Sequence, residues 1–186
     1  MKNQLIEGDS APQFSLRDVL GNNVVLKEFR PSSVLVVFLR YSGCPWCNLA
    51  LHRLTVEYEL LKKQNCNIVA FIQSTPDNVK LNIYGRHALR PPFPIIADQK
   101  RITYDKYKVT NSVVAAAHSI TKIPYWVHAV RKHGFRQTNI DGSFFLVPAM
   151  FLVSGQSGKI MLASYGKSFY EHETFTLVYE KLRFSE

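Results

Sequence analysis

Two thiols separated by two residues, in the run Cys44-Pro45-Trp46-Cys47, are the side chains of this chain best placed to do chemistry. A thiolate is the nucleophile in disulfide exchange, and a free cysteine near pKa ~8.5 is mostly protonated at neutral pH. Something must therefore hold one sulfur ionised. The run follows the apolar segment Val34-Leu35-Val36-Val37-Phe38-Leu39 and precedes a helical pattern. A helix N-terminus supplies unpaired N–H groups and a partial positive charge, both favouring thiolate. Cys44 is expected at or just before the first turn, where the effect is strongest. Cys47, one turn later, is placed to resolve a mixed disulfide on Cys44. Pro45 suits a first turn because it has no N–H to leave unpaired. Trp46 can cover the site, and Arg40 and Arg53 are candidate cations.

The elements that must position these thiols follow from periodicity. Phe14–Leu16 and Val24–Leu26 flank Gly21-Asn22-Asn23 as an N-terminal hairpin. A strand at 33–39 leads into a helix from Cys44 to about Lys63, with an apolar stripe at Leu51, Leu54, Tyr58 and Leu61. A buried strand at 67–72 follows. A helix from Thr75 to about His87 is capped by Thr75 with Pro76 in its first turn. Then come a short strand at 93–97 and a short helix at 100–107. Residues 111–142 read as an inserted, partly helical excursion, interrupted by Pro124 and punctuated by Gly134 and Asp141-Gly142. Strands at 149–153 and 158–164 and a C-terminal helix from about His172 to Leu182 close the chain. The result is one α/β domain, with the thiols at the carboxyl end of a central strand.

The chain has 186 residues and a formal charge of +9. Residues 78–136 hold 11 Lys/Arg against 2 Asp/Glu, so this segment carries the whole excess. Two readings stand: a solvated face, or a surface for an acidic partner around Trp126. No nucleic-acid motif accompanies the charge, so nucleic acid is not the expected partner. No apolar run is long enough to cross a bilayer, and the first ten residues do not read as a secretory signal. The expected compartment is the cytoplasm, where paired cysteines are more often catalytic or metal-binding than structural. Zinc would need two further ligands. Cys66 and the six scattered histidines at 52, 87, 118, 128, 133 and 172 offer no second pair. No metal or other cofactor is expected, and Cys66, opening a strand, reads as a core residue. Pro148, at the entry of the 149–153 strand, is a candidate cis-proline that would hold an extended substrate beside a thiol.

Several motifs together carry a family resemblance. Gly8-Asp9-Ser10-Ala11-Pro12-Gln13-Phe14-Ser15-Leu16, Gly21, the strand leading to Cys44-Pro45-Trp46-Cys47, Phe93–Asp98, Pro148–Val153 with Gly158-Lys159-Ile160, and Tyr165-Gly166 are among them. The chain resembles the peroxiredoxin-like alkyl hydroperoxide reductase/thiol-specific antioxidant (AhpC/TSA, redoxin) branch of the thioredoxin-fold superfamily. The resemblance spans nearly everything outside 111–142. It implies a thioredoxin-like fold, a central mixed sheet flanked by helices. It also implies an antioxidant thiol oxidoreductase acting on a hydroperoxide or a protein disulfide, reduced in turn by a thioredoxin or glutathione system. A homodimer is compatible with it. That family's peroxidase motif is Pro-x-x-x-Thr-x-x-Cys with a distant Arg. Laid on this chain it puts Cys47 at the attacking cysteine, Cys44 at the Thr position, Arg40 at the Pro position and Pro148 at the Arg position. The thioredoxin pattern instead makes Cys44 attack and Cys47 resolve, with Pro148 framing the docking groove. Expected activity is therefore dithiol–disulfide exchange through Cys44 and Cys47, with hydroperoxide reduction secondary. The alternative is a non-enzymatic binding module on the same scaffold, contacting an acidic partner through 78–136.

Overall fold

The computed structural model describes residues 4–170 and 174–183. Its centre is a five-stranded sheet in the order β5-β4-β3-β6-β7, built from β3 (Ser33–Leu39), β4 (Cys66–Ile72), β5 (Ile95–Ala97), β6 (Ala149–Val153) and β7 (Ile160–Tyr165). β3, β4 and β5 run parallel, while β6 and β7 are antiparallel additions on the other side of β3. β1 (Ser15–Arg17) and β2 (Asn23–Val25) form a separate antiparallel hairpin, as expected, with Leu16 opposite Val24.

Strand alternation divides the core in two. Leu35, Val37 and Leu39 face one side of the sheet, where they meet Leu51, Leu54 and Leu61 of α1 (Pro45–Lys63) and Val178 of α6 (Thr174–Arg183). Val34, Val36 and Phe38 face the other, against Phe14 of the N-terminal segment, Phe71, Phe151 and the tyrosines 104 and 107. Because both faces are covered, β3 and β4 read as continuous apolar runs rather than alternating ones. The expected His172 start of the last helix lies outside the described residues.

Two boundaries differ from the expectations drawn from the sequence. The helix begun by Thr75, whose side chain accepts from the Asn78 amide at 3.3 Å, is α-helical only over α2 (Pro76–Val79). It widens into a π turn over Lys80–Tyr84, where the Gly85 amide reaches the Lys80 carbonyl. That turn brings Asn82 inward, 2% exposed, to donate to Ser42 Oγ. After the short α3 (Ile102–Lys106), the excursion contains α4 (Val113–His118), capped by Ser112, a 3₁₀ turn, and α5 (Ile123–His133). Pro124 starts α5 rather than breaking it, because a first turn needs no proline N–H. Gly134 ends α5 at φ 70°, a left-handed position that suits glycine.

Candidate active site

β3 ends at Leu39, and Arg40 to Gly43 turn the chain into α1. Cys44 is the N-cap residue in extended conformation, and Pro45 occupies the first turn. The Cys44 amide returns to the Tyr41 carbonyl at 3.2 Å, and the Asn48 amide bonds the Cys44 carbonyl at 3.0 Å, closing the first helical turn. Asn48 Nδ2 also donates to the carbonyls of Ser42 and Cys44, and its Oδ1 meets His87 Nε2 at 2.8 Å. The acceptor Oδ1 fixes His87 as the Nε2–H tautomer. Two buried polar side chains thus fix the loop that presents Cys44.

Arg40 is 1% exposed. Its guanidinium donates to Cys44 Sγ at 3.6 Å and to the Phe144 carbonyl at 2.7 Å. It lies 3.6 Å from the ring centroid of Phe169 and about 5 Å from those of Tyr41 and Phe144. Aromatic faces stabilise a cation that burial would otherwise disfavour. The consequence falls on the sulfurs. Burial pushes the Cys44 thiol up, but the Cys47 hydrogen bond, the Arg40 charge and the Cys47 and Trp46 amides pull it down further, to about 7. Those amides act through their field at the helix start, since Cys44 makes no side-chain capping bond. Cys47 goes the other way: burial and the neighbouring Cys44 hold its thiol well above the ordinary range. The pair is thus differentiated, with Cys44 the more readily ionised.

Both cysteines are buried, Cys44 at 0% and Cys47 at 1% exposure, and neither is in a disulfide. The cover comes from residues 111–143. Trp46 Nε1 donates to the Lys122 carbonyl at 3.0 Å. The Thr138 amide donates to the Gly43 carbonyl at 3.1 Å, and Tyr41 Oη bonds Gln137 Oε1 at 3.3 Å. Asp141 anchors the strap: its carboxylate accepts from Ser74 Oγ, the Thr75 amide and Asn78 Nδ2 at 2.7, 3.1 and 2.7 Å. Gly43 is required beneath it, because a Cβ there would meet the Asn139 carbonyl oxygen at 2.7 Å. A cavity of about 60 Å³ reaches Cys47 from the other side, lined chiefly by apolar side chains, with Pro148, Met150 and Phe175 among them and Arg53 at its edge.

The structure therefore groups Cys44, Cys47, Arg40, Pro45 and Trp46, and sets Pro148 beside Cys47. One expectation is corrected. The cis peptide bond among the described residues is Arg30–Pro31, so Val147–Pro148 is trans. The Val147 amide points inward to the Thr110 carbonyl at 3.3 Å and Val147 is buried, so its backbone N–H is not offered to a substrate. Arg53 lies over the Tyr170 ring, at 5.4 Å, rather than on Cys44. Cys66 sits at the far end of β4, six residues from the strand end nearest the thiols, or about 20 Å away. Among the described residues no three His, Cys, Asp or Glu side chains converge as metal ligands, and no helix is long and apolar enough to cross a membrane. Phe144, Phe169, Thr138 and Asp141 were not foreseen; nothing local in the sequence ties them to these partners, between 63 and 129 positions earlier.

Comparison with known proteins agrees with this architecture. The family model described as AhpC/TSA matches residues 7–156. Chloroplastic peroxiredoxin Q of Gentiana triflora is 28% identical over 93 residues, covering 50% of this chain and 42% of that protein. The chain thus matches less than half the length of that curated relative. Among solved structures, peroxiredoxin 6 of Arenicola marina superposes with a TM-score of 0.71 at 14% identity, covering 96% of this chain and 72% of the other. The thioredoxin domain of a thiol-disulfide oxidoreductase from Bacteroides vulgatus does so at 0.60 and 19% identity, covering 96% and 99%. The fold is thioredoxin-like.

Proposed function

We propose, from the premise that this chain belongs to the AhpC/TSA family, that it is a thiol oxidoreductase in which Cys44 and Cys47 cycle between dithiol and disulfide. The observation that carries this reading is the Arg40 guanidinium 3.6 Å from Cys44 Sγ, with Cys47 one helical turn away. Cys44 thiolate attacks one sulfur of a substrate disulfide, forming a mixed disulfide and expelling the other sulfur as a thiolate that takes up a proton. Cys47 then loses its proton and attacks Cys44 Sγ. The substrate's second thiol leaves, and a Cys44–Cys47 disulfide remains. An external thiol, of the thioredoxin or glutathione kind, returns both electrons. Burial keeps Cys47 protonated until the mixed disulfide removes the negative charge beside it, which orders the two steps.

Hydroperoxide reduction is the secondary activity. It needs the same ionised sulfur to attack the terminal peroxide oxygen, releasing an alcohol and leaving a sulfenic acid that the second thiol condenses with, releasing water. Family enzymes steady the breaking O–O bond with a Thr and an Arg; in the alignment that puts Cys47 at the attacking position those places hold Cys44 and Pro148, so neither group is available to a Cys44 thiolate. Arg40 is the remaining cation, and its second nitrogen is already engaged by the Phe144 carbonyl. Peroxide turnover is therefore slower than disulfide exchange.

The test is separate substitution of each thiol by serine, with reduction of a small-molecule disulfide and consumption of hydrogen peroxide followed in parallel. Cys44→Ser should abolish exchange. Cys47→Ser should react once and stop as a mixed disulfide on Cys44, visible by mass. If neither variant differs from the parent in either assay, the couple is not the active centre.

A further inference from the structure

A second group of titratable side chains lies outside the thiol site, between α1 and α5. His52 and Arg53 project from α1, and His128, Lys132 and His133 from α5, around a cleft of about 570 Å³. The three imidazoles are in contact: ring centroids are 4.5 Å apart for His52 and His133, and 5.3 Å for His128 and His133. His133 also stacks on Phe135, at 5.4 Å and nearly parallel. Phe135 is buried with Leu49, Ala129 and Tyr170 in the small core that joins α5 to α1, so the ring cluster is held by packing rather than draped on the surface.

Among the described residues the basic groups of this cleft outnumber its carboxylates. The carboxylate lining the cleft among the described residues is Glu57, whose Oε2 accepts from Tyr179 Oη at 2.6 Å. Among the described residues no carboxylate lies within ion-pair distance of His52, Arg53, His128, Lys132 or His133; the ion pairs found are Arg101–Asp105 and Lys181–Glu7. A merely solvated basic face would let its side chains spread apart. Here the rings are pressed together beside a guanidinium and an ammonium group, an arrangement that disfavours protonation of His52 and His133 while the cleft is empty. Burial, then the neighbouring Arg53 and Lys132, lower the affinity of His52 for a proton, and His133 is lowered by burial and by the same cluster. A bound anion reverses that balance, drawing protons onto His52 and His133 and turning both into charged N–H donors.

We propose that the α1–α5 cleft binds a doubly charged tetrahedral oxyanion, the phosphate or sulfate group of a small molecule. A planar carboxylate is saturated by one guanidinium fork. A guanidinium, an ammonium and three imidazoles together offer more donors than that and in more directions, which suits four oxygens. The imidazoles are tilted by 49° and 60° to one another, and among the described residues they do not form a group of converging metal ligands. The cleft size is that of a small-molecule site. It shares Arg53 and Phe175 with the cavity that reaches Cys47, so an occupant lies next to the redox centre without touching it.

The probe is sodium sulfate, exchanged against sodium chloride at constant ionic strength, with binding read from the histidine ring NMR signals of the full chain. Sulfate keeps both charges between about pH 5.5 and about pH 7.5, so any pH dependence over that window belongs to the histidines. Saturable shifts are expected at His52, His128 and His133 and not at the distant His118, with binding at least tenfold tighter at the acid end. Lys132→Ala should weaken it at least tenfold. His52→Gln with His133→Gln should flatten the pH dependence and leave thiol alkylation rates unchanged. Inorganic phosphate should compete for the same shifts. A Cys44→Ser/Cys47→Ser protein should bind sulfate as the parent does, which separates this site from the thiol chemistry. Shifts that stay linear up to about 50 mM sulfate would overturn the proposal, since they indicate bulk screening. So would saturation that the Lys132 and double histidine variants leave unaltered.

Discussion

Arg40 and Cys44 are four residues apart, and one guanidinium nitrogen of the first lies 3.6 Å from the sulfur of the second while the other nitrogen holds the Phe144 carbonyl at 2.7 Å. The cation is thereby locked between the thiol and the covering strap. Replacing it with methionine keeps the volume and the apolar contacts with Phe169 but removes the charge. The alkylation midpoint of Cys44, about 7 in the parent, should rise by roughly one unit or more, and its rate at neutral pH should fall about tenfold. Arg40→Lys should restore only part of this, because an ammonium group cannot reach both partners from a planar fork. The measurement is the pH dependence of alkylation at each cysteine, resolved by peptide mass; an unmoved midpoint in Arg40→Met would remove Arg40 from the site.

Asp141 decides how often the thiols meet solvent. Its carboxylate accepts three hydrogen bonds from the Ser74–Asn78 segment, and the strap it anchors covers the Cys44 turn. Hydrogen bonds to a charged acceptor are worth ~1.5–3 kcal/mol each when broken one-sidedly, and the strap also retains its other contacts. Asp141→Ala should raise the population of open molecules, and the reaction of native protein with an aromatic disulfide reagent should accelerate about tenfold or more. The far-UV spectrum should remain that of the parent. An unchanged rate in a folded Asp141→Ala protein would mean that substrates reach the sulfurs by another route, the Cys47 cavity being the nearest.

The sheet and the thiol-bearing helix were legible because their signals are local. The runs 34–39 and 68–72 are apolar throughout, since parallel strands covered on both faces cannot alternate. The start of α1 is marked by Pro45, and its buried stripe by Leu51, Leu54 and Leu61. The covering role of 111–143 was not legible, because it consists of long-range contacts between ordinary residues: a lysine carbonyl under Trp46, a threonine amide on Gly43, an aspartate on Ser74. The aromatic faces around Arg40 come from Phe144 and Phe169, and no spacing rule joins them to it. Pro148 was read correctly for place and wrongly for its peptide bond, because strand entry alone does not distinguish a trans from a cis bond.

Cys66 serves as a control for the two cysteines of the proposed couple. It is 0% exposed, its thiol is pushed up to about 12 chiefly by burial, and it lies at the opposite end of the sheet from Cys44. Cys66→Ala should leave disulfide exchange and peroxide consumption within twofold of the parent. The small cavity left behind should cost on the order of 1 kcal/mol in a denaturant titration. A large loss of activity without a matching loss of stability would bring a third thiol into the mechanism.

His87 makes the fold sensitive to mild acid. The ring is 5% exposed, stacked on Phe135 at 4.4 Å, and bonded through Nε2 to Asn48, while Nδ1 finds no partner among the described residues. Burial, then the neighbouring His52 and His133, lower its pKa to about 4 from an unfolded value of 6.5. Between those two values the unfolded chain binds the additional proton, so stability rises with pH across the window and is lost as pH falls from about 6.5 toward about 4. The full difference corresponds to at most about 3 kcal/mol for this one group. His87→Gln keeps a donor toward Asn48 and removes the titration, so its stability at neutral pH should be somewhat lower while its decline on acidification is shallower. Urea titrations of parent and variant across this range read both slopes directly. If the parent and His87→Gln lose stability in parallel, the acid sensitivity resides elsewhere, and His87 is a neutral packing residue whose ring the loop before Cys44 merely leans on.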